Sequence, residues 1–465
     1  MVKGKSQKPR TQNVCQECGT TTSQWMGRCP GCGGWNTLVE ERVGPPSGAR
    51  DAARGPAGSR GPARAVPLGE VRADDARRLP TGLEELDRVM GGGPVGGGVT
   101  LLAGDPGIGK STLLMQALAG LAAQGHAVLY VTGEESASQV ALRGQRLGGE
   151  AMSRVLVLPT TDLADVEACI ASEKPLVVVI DSIQTLRSPD LDSAAGSVAQ
   201  LREVAARLVE VAKTSGMALF LIGHVTKEGV IAGPKVLEHM VDTVLSFEGD
   251  RTHSFRLVRA TKNRFGPAQE VGVFEMQRDG LREVPDPSAL FLAERPASAA
   301  GSLVVPTAEG SRPLLVEVQA LVAPAVYGAA RRVASGLDAS RLAILLAVLE
   351  RKAAVHVLDL DVFASVAGGA RVDERAIDLA LAVAVVSSLR DRAVSPRLAL
   401  FGEVGLAGEV RAVPRPGPRV VEARKLGFGT VIVPRGNAEH LSPDETRDVE
   451  VVPVQTLAEA LEAAL

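Results

Sequence analysis

The sequence predicts an α/β core built around a phosphate-binding loop, preceded by a four-cysteine zinc finger and followed by a separate α+β domain. Three observations carry this. Residues Gly104–Ser111 read GDPGIGKS and fit the pattern G-x-x-x-x-G-K-[ST]. Four cysteines fall in two C-x2-C pairs near the start of the chain. Apolar strand-like runs alternate with helical patterns from about Leu79 to Val284, and the character changes beyond them.

The finger comes first. Cys15, Cys18, Cys29 and Cys32 are the candidate ligands, with Gly19, Gly31 and Gly33 beside them for tight turns that place two thiolates on one ion. A redox C-x2-C pair is the competing reading, and two clustered pairs favour Zn2+. The fifth cysteine, Cys169, lies on an apolar helical pattern and is expected in the core. Residues 43–67 are rich in Gly, Pro, Ala and Arg, the composition of a solvated tether, although their arginines leave contact with a polyanion open. The expected division is a zinc finger over 1–41, a linker over 42–78, the α/β domain over 79–284 and the last domain over 285–465.

In the core, a strand over Gly98–Ala103 enters the loop and a helix over Ser111–Ala122 leaves it. Gly104, Asp105, Pro106, Gly107, Ile108, Gly109, Lys110, Ser111 and Thr112 are the candidate ATP-binding residues. Glycines let backbone N–H groups turn toward phosphate oxygens, and the helix N-terminus adds its positive end. Lys110 is placed at the β/γ-phosphates and the Ser111 hydroxyl on Mg2+. Further strands are predicted over Val128–Thr132, Val155–Leu158, Leu176–Asp181, Ala218–Gly223 and Thr243–Phe247, with a helix over Val198–Ser215. Alternation of this kind means a largely parallel sheet.

The strand ending in Asp181 suits the second nucleotide signature, an acid that holds Mg2+ through water. Glu134 and Glu135 follow the strand over Val128–Thr132, at the sheet edge where such folds bind ligands. Glu134 is the candidate base that positions water. The alternative is an acid pair favoured by a helix N-terminus. His224 is either a sensor of the γ-phosphate or a satisfied, partly buried histidine. The following loop carries Lys227, Glu228, Gly229, Gly233, Pro234 and Lys235, and a second flexible stretch runs over Arg187–Gly196. These loops either line a path for a phosphate backbone, with Lys227 and Lys235 as contacts, or are ordinary surface. The compact basic run Lys262-Asn263-Arg264-Phe265-Gly266 either enters a neighbouring subunit's nucleotide site in a ring or is a solvated strand end.

The last domain has a strand-like run over Leu314–Val322, helical patterns over Ser340–Arg351 and Glu374–Leu389, and a strand over Thr430–Val433. Prolines 285, 287 and 296 mark its beginning.

Composition sets the bounds. A length of 465 residues suits two or three domains. Hydrophobic residues make up 45% and aromatics only 3%, so the cores rest on Ala, Val and Leu. A net charge of −3 means that any nucleic-acid site must be local. No apolar run reaches the ~18 residues of a membrane span. The basic start MVKGKSQKPRTQN has no apolar segment, so a secretory signal is not expected. The expected compartment is the cytoplasm, and five cysteines do not make a disulfide scaffold.

Four features together carry a resemblance: the finger CQEC…CPGCGGWN, the lead-in LPTGLEELDRVMGGG with GDPGIGKST, the motif VTGEES, and KNRFG. The chain resembles the RadA (Sms) family of bacterial DNA-repair proteins over almost its whole length. Its central domain is similar to RecA and to the hexameric helicase DnaB. The resemblance implies a RecA-like core and a homo-hexameric, DNA-dependent ATPase with ATP, Mg2+ and Zn2+ as cofactors. It further implies translocation on single-stranded DNA and branch migration of recombination intermediates in concert with RecA. By position, Glu134 matches the family's water-activating glutamate. KNRFG, with Lys262 and Arg264, matches residues that couple subunit ATP sites to DNA.

The last domain resembles the proteolytic domain of Lon. That enzyme uses a Ser–Lys dyad, a hydroxyl activated by a neutral amine. Here Ala376 aligns with the serine and Gly417 lies near the lysine position, so a scaffold that forms the ring and contacts DNA is implied, with Arg331 and Arg332 as candidate contacts. Two other readings are an ATP-dependent Lon-type protease, opposed by the missing dyad, and a signalling ATPase of the circadian-clock type. The finger and the Lon-like domain oppose the latter.

Overall fold

The computed structural model describes residues 10–15, 20–31, 33–35, 37–43, 67, 77–224, 236–249, 255–293, 295–296, 298–309, 312–325, 328–369 and 371–465. Nearly all of the predicted linker, Cys18, Cys32, and the loop with Lys227, Glu228, Gly229, Gly233, Pro234 and Lys235 lie outside these residues.

The finger is a three-stranded antiparallel sheet of β1 (Arg10–Cys15), β2 (Thr21–Thr22) and β3 (Leu38–Val43), in the order β2-β1-β3. Cys15, Cys29 and Leu38 form its small buried cluster. Among the described residues this is the finger's buried cluster, and small modules of this kind usually rely on a metal.

The chain divides into two compact units, the finger falling within the first. One is Met1–Glu248 with Val258–Ala268 and Met276–Glu283, and the other is Gly249–Leu257 with Gln269–Glu275 and Val284–Leu465. The core elements run α1 (Glu84–Met90), β4 (Val99–Gly104), α2 (Lys110–Ala123), β5 (Val128–Thr132), α3 (Ala137–Leu147), β6 (Leu156–Pro159), α4 (Leu163–Glu173), β7 (Val177–Asp181), α5 (Val198–Ser215), β8 (Ala218–His224), α6 (Val236–Met240), β9 (Thr243–Glu248), β10 (Phe255–Asn263), β11 (Val271–Gln277) and β12 (Gly280–Glu283). The strands form one sheet in the order β12-β11-β10-β9-β4-β8-β7-β5-β6. From β9 to β6 every pairing is parallel. Strands β4, β5 and β7 are buried along their whole length. That is why their sequences are continuous apolar runs rather than alternating ones. The predicted strand Val155–Leu158 sits one residue later, as β6 at the sheet edge.

The lead-in LPTGLEELDRVMGGG turns out to be a clasp. The Asp87 carboxylate accepts the Thr81 N–H at 2.9 Å and the Thr81 hydroxyl at 2.8 Å, tying the entering chain to α1. Burial raises the Asp87 pKa, against the lowering effect of the Thr81 hydrogen bonds. A second expectation is corrected at Arg187–Gly196. The buried amide of Gln200 on α5 donates to the carbonyls of Ser188, Leu191 and Ser193 at 3.0–3.2 Å and accepts the Ser188 N–H at 2.8 Å. That stretch is anchored rather than loose.

The second unit runs α7 (Pro287–Leu292), β13 (Ser302–Glu309), β14 (Arg312–Pro324), β15 (Arg332–Ser335), α8 (Ala339–Lys352), β16 (Leu360–Val366), α9 (Asp378–Leu389), β17 (Leu398–Leu400), β18 (Glu403–Val404), β19 (Val410–Arg411), α10 (Pro416–Lys425), β20 (Thr430–Pro434), α11 (Arg435–Ala438), β21 (Glu450–Val454) and α12 (Leu457–Ala464). Seven strands form its sheet in the order β15-β16-β14-β13-β17-β20-β21. The helix predicted from Glu374 begins as a 3-10 turn at Arg375–Ile377, and α9 proper starts at Asp378. The cause is Asp378. Its buried carboxylate takes the Arg341 Nε at 2.9 Å and the Val404 N–H at 3.3 Å, which fixes where the helix begins.

Candidate nucleotide-binding site

The register of the sheet brings the predicted groups to one edge. Gly104 at the end of β4 lies beside His224 at the end of β8, and Asp181 at the end of β7 lies beside Thr132 at the end of β5. Glu134 follows two residues later. Ligands of open parallel sheets bind at this carboxyl edge.

The loop from Asp105 to Gly109 connects β4 to α2. Gly109 has φ 119°, a backbone conformation that favours glycine, and Met276 Cε packs within 2.7 Å of where a Cβ would sit. The N-cap of α2 is Gly109, which has no side chain to cap the first turn, where Lys110, Ser111 and Thr112 lie. The N–H groups of a helix's first turn point back toward the loop before it, the arrangement that receives phosphate. Lys110 is buried, and its ammonium donates to the carbonyls of Gly104 at 2.7 Å and Asp105 at 2.9 Å. Burial pulls its pKa down to about 8, partly opposed by Asp181, Asp105 and Glu134. Phosphate oxygens bound in the loop would add further negative charge beside this ammonium.

Asp181 is buried, and its Oδ2 accepts a hydrogen bond from the Tyr130 hydroxyl. The Tyr130 oxygen in turn accepts from Arg143 Nη1 at 3.3 Å, and Arg143 forms an ion pair with Glu135. Glu134 Oε1 accepts from the Ser182 hydroxyl at 2.7 Å. Between these strand ends, a Cβ on Gly133 would lie 2.1 Å from Thr185 Oγ1, so the turn admits only glycine. Sequence reading missed Tyr130, Arg143 and Ser182. Tyr130 looked like core inside the run VLYVT, and no local spacing links it to Asp181.

The KNRFG run lies at the other edge of the sheet. Lys262 Nζ donates to the carbonyls of Glu238 at 2.6 Å and Val241 at 2.7 Å. Arg264 pairs with Asp242 Oδ1 at 3.2 Å, while Asp242 Oδ2 accepts the Val99 N–H at 3.1 Å. Val99 opens β4 and Gly104 closes it, so about 16 Å of strand separates this cluster from the phosphate loop. Asn263 accepts the Phe265 N–H at 3.0 Å, and Gly98 lies against the Phe265 ring. Arg264 keeps 57% of its side chain exposed. Lys262 is tied down, and burial followed by repulsion from Arg264 lowers its pKa.

The arginines proposed as DNA contacts in the second unit are already engaged. Arg331 donates Nε to Asp361 Oδ2 at 2.8 Å and stacks 5.4 Å over Phe363. Arg332 donates to the carbonyls of Ala330 at 2.6 Å and Leu358 at 2.5 Å. A phosphate would have to compete with these partners.

The segments aligned with a Ser–Lys dyad are joined by a different pair. Arg419 is fully buried, two residues after Gly417. It donates to Glu374 Oε2 at 3.1 Å, two residues before Ala376, and to Pro306 O at 2.6 Å. A Cβ at Gly417 would lie 1.8 Å from Glu445 Oε1.

In the finger, Cys15 and Cys29 are the predicted ligands among the described residues, and both are buried. The Cys29 sulfur accepts the Gly31 N–H at 3.3 Å, and the Cys29 N–H donates to Gly34 O at 2.8 Å. An N–H aimed at sulfur inside a tight turn suits a metal-bound thiolate. Purified protein is expected to carry one zinc per chain by elemental analysis, and Cys29→Ser is expected to release it. A disulfide among these cysteines in freshly reduced protein would refute the site.

A phosphate loop on a parallel sheet, with a metal-binding ribbon before it and a Lon-like domain after it, defines a modular P-loop ATPase. Family models match each part: an AAA domain over residues 64–230, a rubredoxin metal binding domain over 14–40, and a Lon protease C-terminal proteolytic domain over 352–465. The DNA repair protein RadA of Halalkalibacterium halodurans and that of Bacillus subtilis are each 47% identical over 458 residues, 98% of this chain and 99% of theirs. That of Listeria monocytogenes matches equally well. The chain belongs to the RadA family of DNA repair proteins. Among the described residues no helix is long and apolar enough to cross a membrane.

Proposed function

We propose that this protein is an ATP-driven motor of recombinational DNA repair. Working as a homo-hexameric ring on single-stranded DNA, it promotes branch migration together with RecA. The observation that supports this best is the separation of two groups within one subunit. Lys110, Asp181 and Glu134 gather at one sheet edge, whereas Arg264 is held about 16 Å away at the other. An arginine so placed serves the phosphates of a neighbour rather than its own.

In this reading the loop N–H groups and Lys110 hold the β/γ-phosphates. Ser111 and Asp181 hold Mg2+, which neutralises charge on the transferred phosphoryl group. Glu134 positions the attacking water and takes its proton. His224 senses the γ-phosphate at the head of the loop that carries Lys227 and Lys235. The division into a finger over 1–41, a linker over 42–78, the ATPase over 79–284 and a scaffold over 285–465 belongs to the same proposal. So does the absence of peptidase activity, since neither Ala376 nor Gly417 supplies a reactive group.

The test measures ATP turnover with and without single-stranded DNA, then adds Arg264→Ala subunits to wild-type protein. DNA is expected to raise turnover. Arg264→Ala should lose that rise while still binding nucleotide, and mixtures should lose activity faster than the mutant fraction grows. A loss strictly proportional to mutant content would mean that each subunit works alone and would overturn the trans role. Turnover indifferent to DNA would overturn the motor.

A further inference from the structure

We infer that Tyr130 is a positioning residue for the carboxylate of Asp181, and that Arg143 on α3 sets Tyr130 in turn. The inference rests on the reading of Asp181 as the residue that holds Mg2+.

Tyr130 is the middle residue of β5 and is fully buried among the apolar runs of β5 and β7. A phenylalanine would fill the same space. A hydroxyl in such surroundings is costly unless bonded, so its presence calls for partners. It has two, and they use both of its capacities. The hydroxyl donates to Asp181 Oδ2 and accepts from Arg143 Nη1 at 3.3 Å.

A carboxylate has two oxygens and rotates about one bond. Holding Oδ2 fixes that rotation and would leave Oδ1 available to a metal-bound water. Groups that orient a metal-binding carboxylate from behind typically carry 10–100-fold in metal affinity or activity.

Arg143 extends the contact. It pairs with Glu135, whose N–H donates to Thr132 Oγ1 at 3.0 Å at the end of β5. Glu135 is the chain neighbour of Glu134, Glu134 accepts from Ser182, and Ser182 is the chain neighbour of Asp181. The contacts therefore close into a circuit: Asp181, Tyr130, Arg143, Glu135, Glu134, Ser182 and back to Asp181. The group that holds the metal and the group that positions water are fixed relative to each other through α3. A shift of α3 alters both together.

The test is Tyr130→Phe, which removes one oxygen and keeps the ring. ATP turnover is measured across a Mg2+ titration, nucleotide binding without Mg2+ is measured separately, and melting is followed in both proteins. The half-saturating Mg2+ concentration is expected to rise and kcat to fall, each about tenfold. Mg2+-free nucleotide affinity is expected to be unchanged. Arg143→Gln should shift the Mg2+ requirement in the same direction. If it acts through Tyr130, the double variant should be no worse than Tyr130→Phe alone, because coupled sites are not additive. A hydroxyl that only stabilised the fold would lower the melting temperature and leave the Mg2+ requirement alone. An unchanged Mg2+ requirement in both single variants overturns the inference while the ATPase reading stands. Wild-type protein without Mg2+-dependent turnover would instead remove that reading, and the inference with it.

Discussion

Lys110→Ala is expected to abolish ATP turnover without unfolding the protein, a loss of at least about 10²–10³-fold. The lysine is the fixed positive charge at the phosphate loop, and no other lysine or arginine of the loop replaces it. Its environment adds a less obvious consequence. The ammonium is buried, and its pKa falls from 10.5 to about 8. Between those values the folded protein binds fewer protons than the unfolded chain, so stability rises with pH across that window. Below pH 8 the buried charge costs up to about 3 kcal/mol. Lys110→Met keeps the aliphatic stem and removes the charge. It should therefore melt no lower than wild type at pH 7, and higher where that cost dominates. Bound phosphates add negative charge beside the ammonium and lift the lysine pKa again, so nucleotide affinity should weaken as pH rises above 8, by up to about tenfold per unit. Calorimetry and nucleotide titrations at pH 7 to 9 check both signs. Near-wild-type turnover in Lys110→Ala, or a large drop in melting temperature in Lys110→Met, would contradict this account.

What the sequence showed and what it hid follow one physical division. The phosphate loop, Asp181, Glu134 and the cysteine pairs each lie in a short contiguous run, where chemistry and backbone geometry impose a local pattern. The parallel core was legible for a similar reason, because strands buried on both faces are continuously apolar. Contacts made across register were not. Tyr130 meets Asp181 only because β5 lies beside β7. Arg187–Gly196 looks like a free loop until Gln200, on the next helix, is seen to hold its carbonyls. Arg331 looks like a free cation until Asp361 comes to it from β16. The helix start at Asp378 was misplaced because its determinant, Arg341, lies on α8. KNRFG shows its composition in sequence, but its place at the far edge from the phosphate loop emerges only from the partners of Lys262 and Arg264.

Glu134→Gln is expected to bind nucleotide as wild type does and to lose about 10²–10⁴-fold in turnover, the usual contribution of a positioned general base. The substitution isolates the chemistry well. Glu134 Oε1 accepts the Ser182 hydroxyl at 2.7 Å, and a glutamine can offer its carbonyl oxygen to the same donor. The side chain keeps its length, its reach and its anchor, and loses only the ability to take a proton from water. The neighbouring pair of Glu135 and Arg143 is untouched, so α3 should stay in place. Ser182→Ala gives the complementary result. It leaves the base in place but frees its orientation, and should lower kcat by less than Glu134→Gln. Because Glu134→Gln blocks hydrolysis after binding, the variant should hold ATP rather than ADP when quenched and analysed, and should accumulate in its ATP-bound state. If Glu134→Gln instead weakens binding while each bound ATP still turns over at the wild-type rate, then Glu134 is a ligand for nucleotide. The water-positioning role would pass to another group at the carboxyl edge of the sheet.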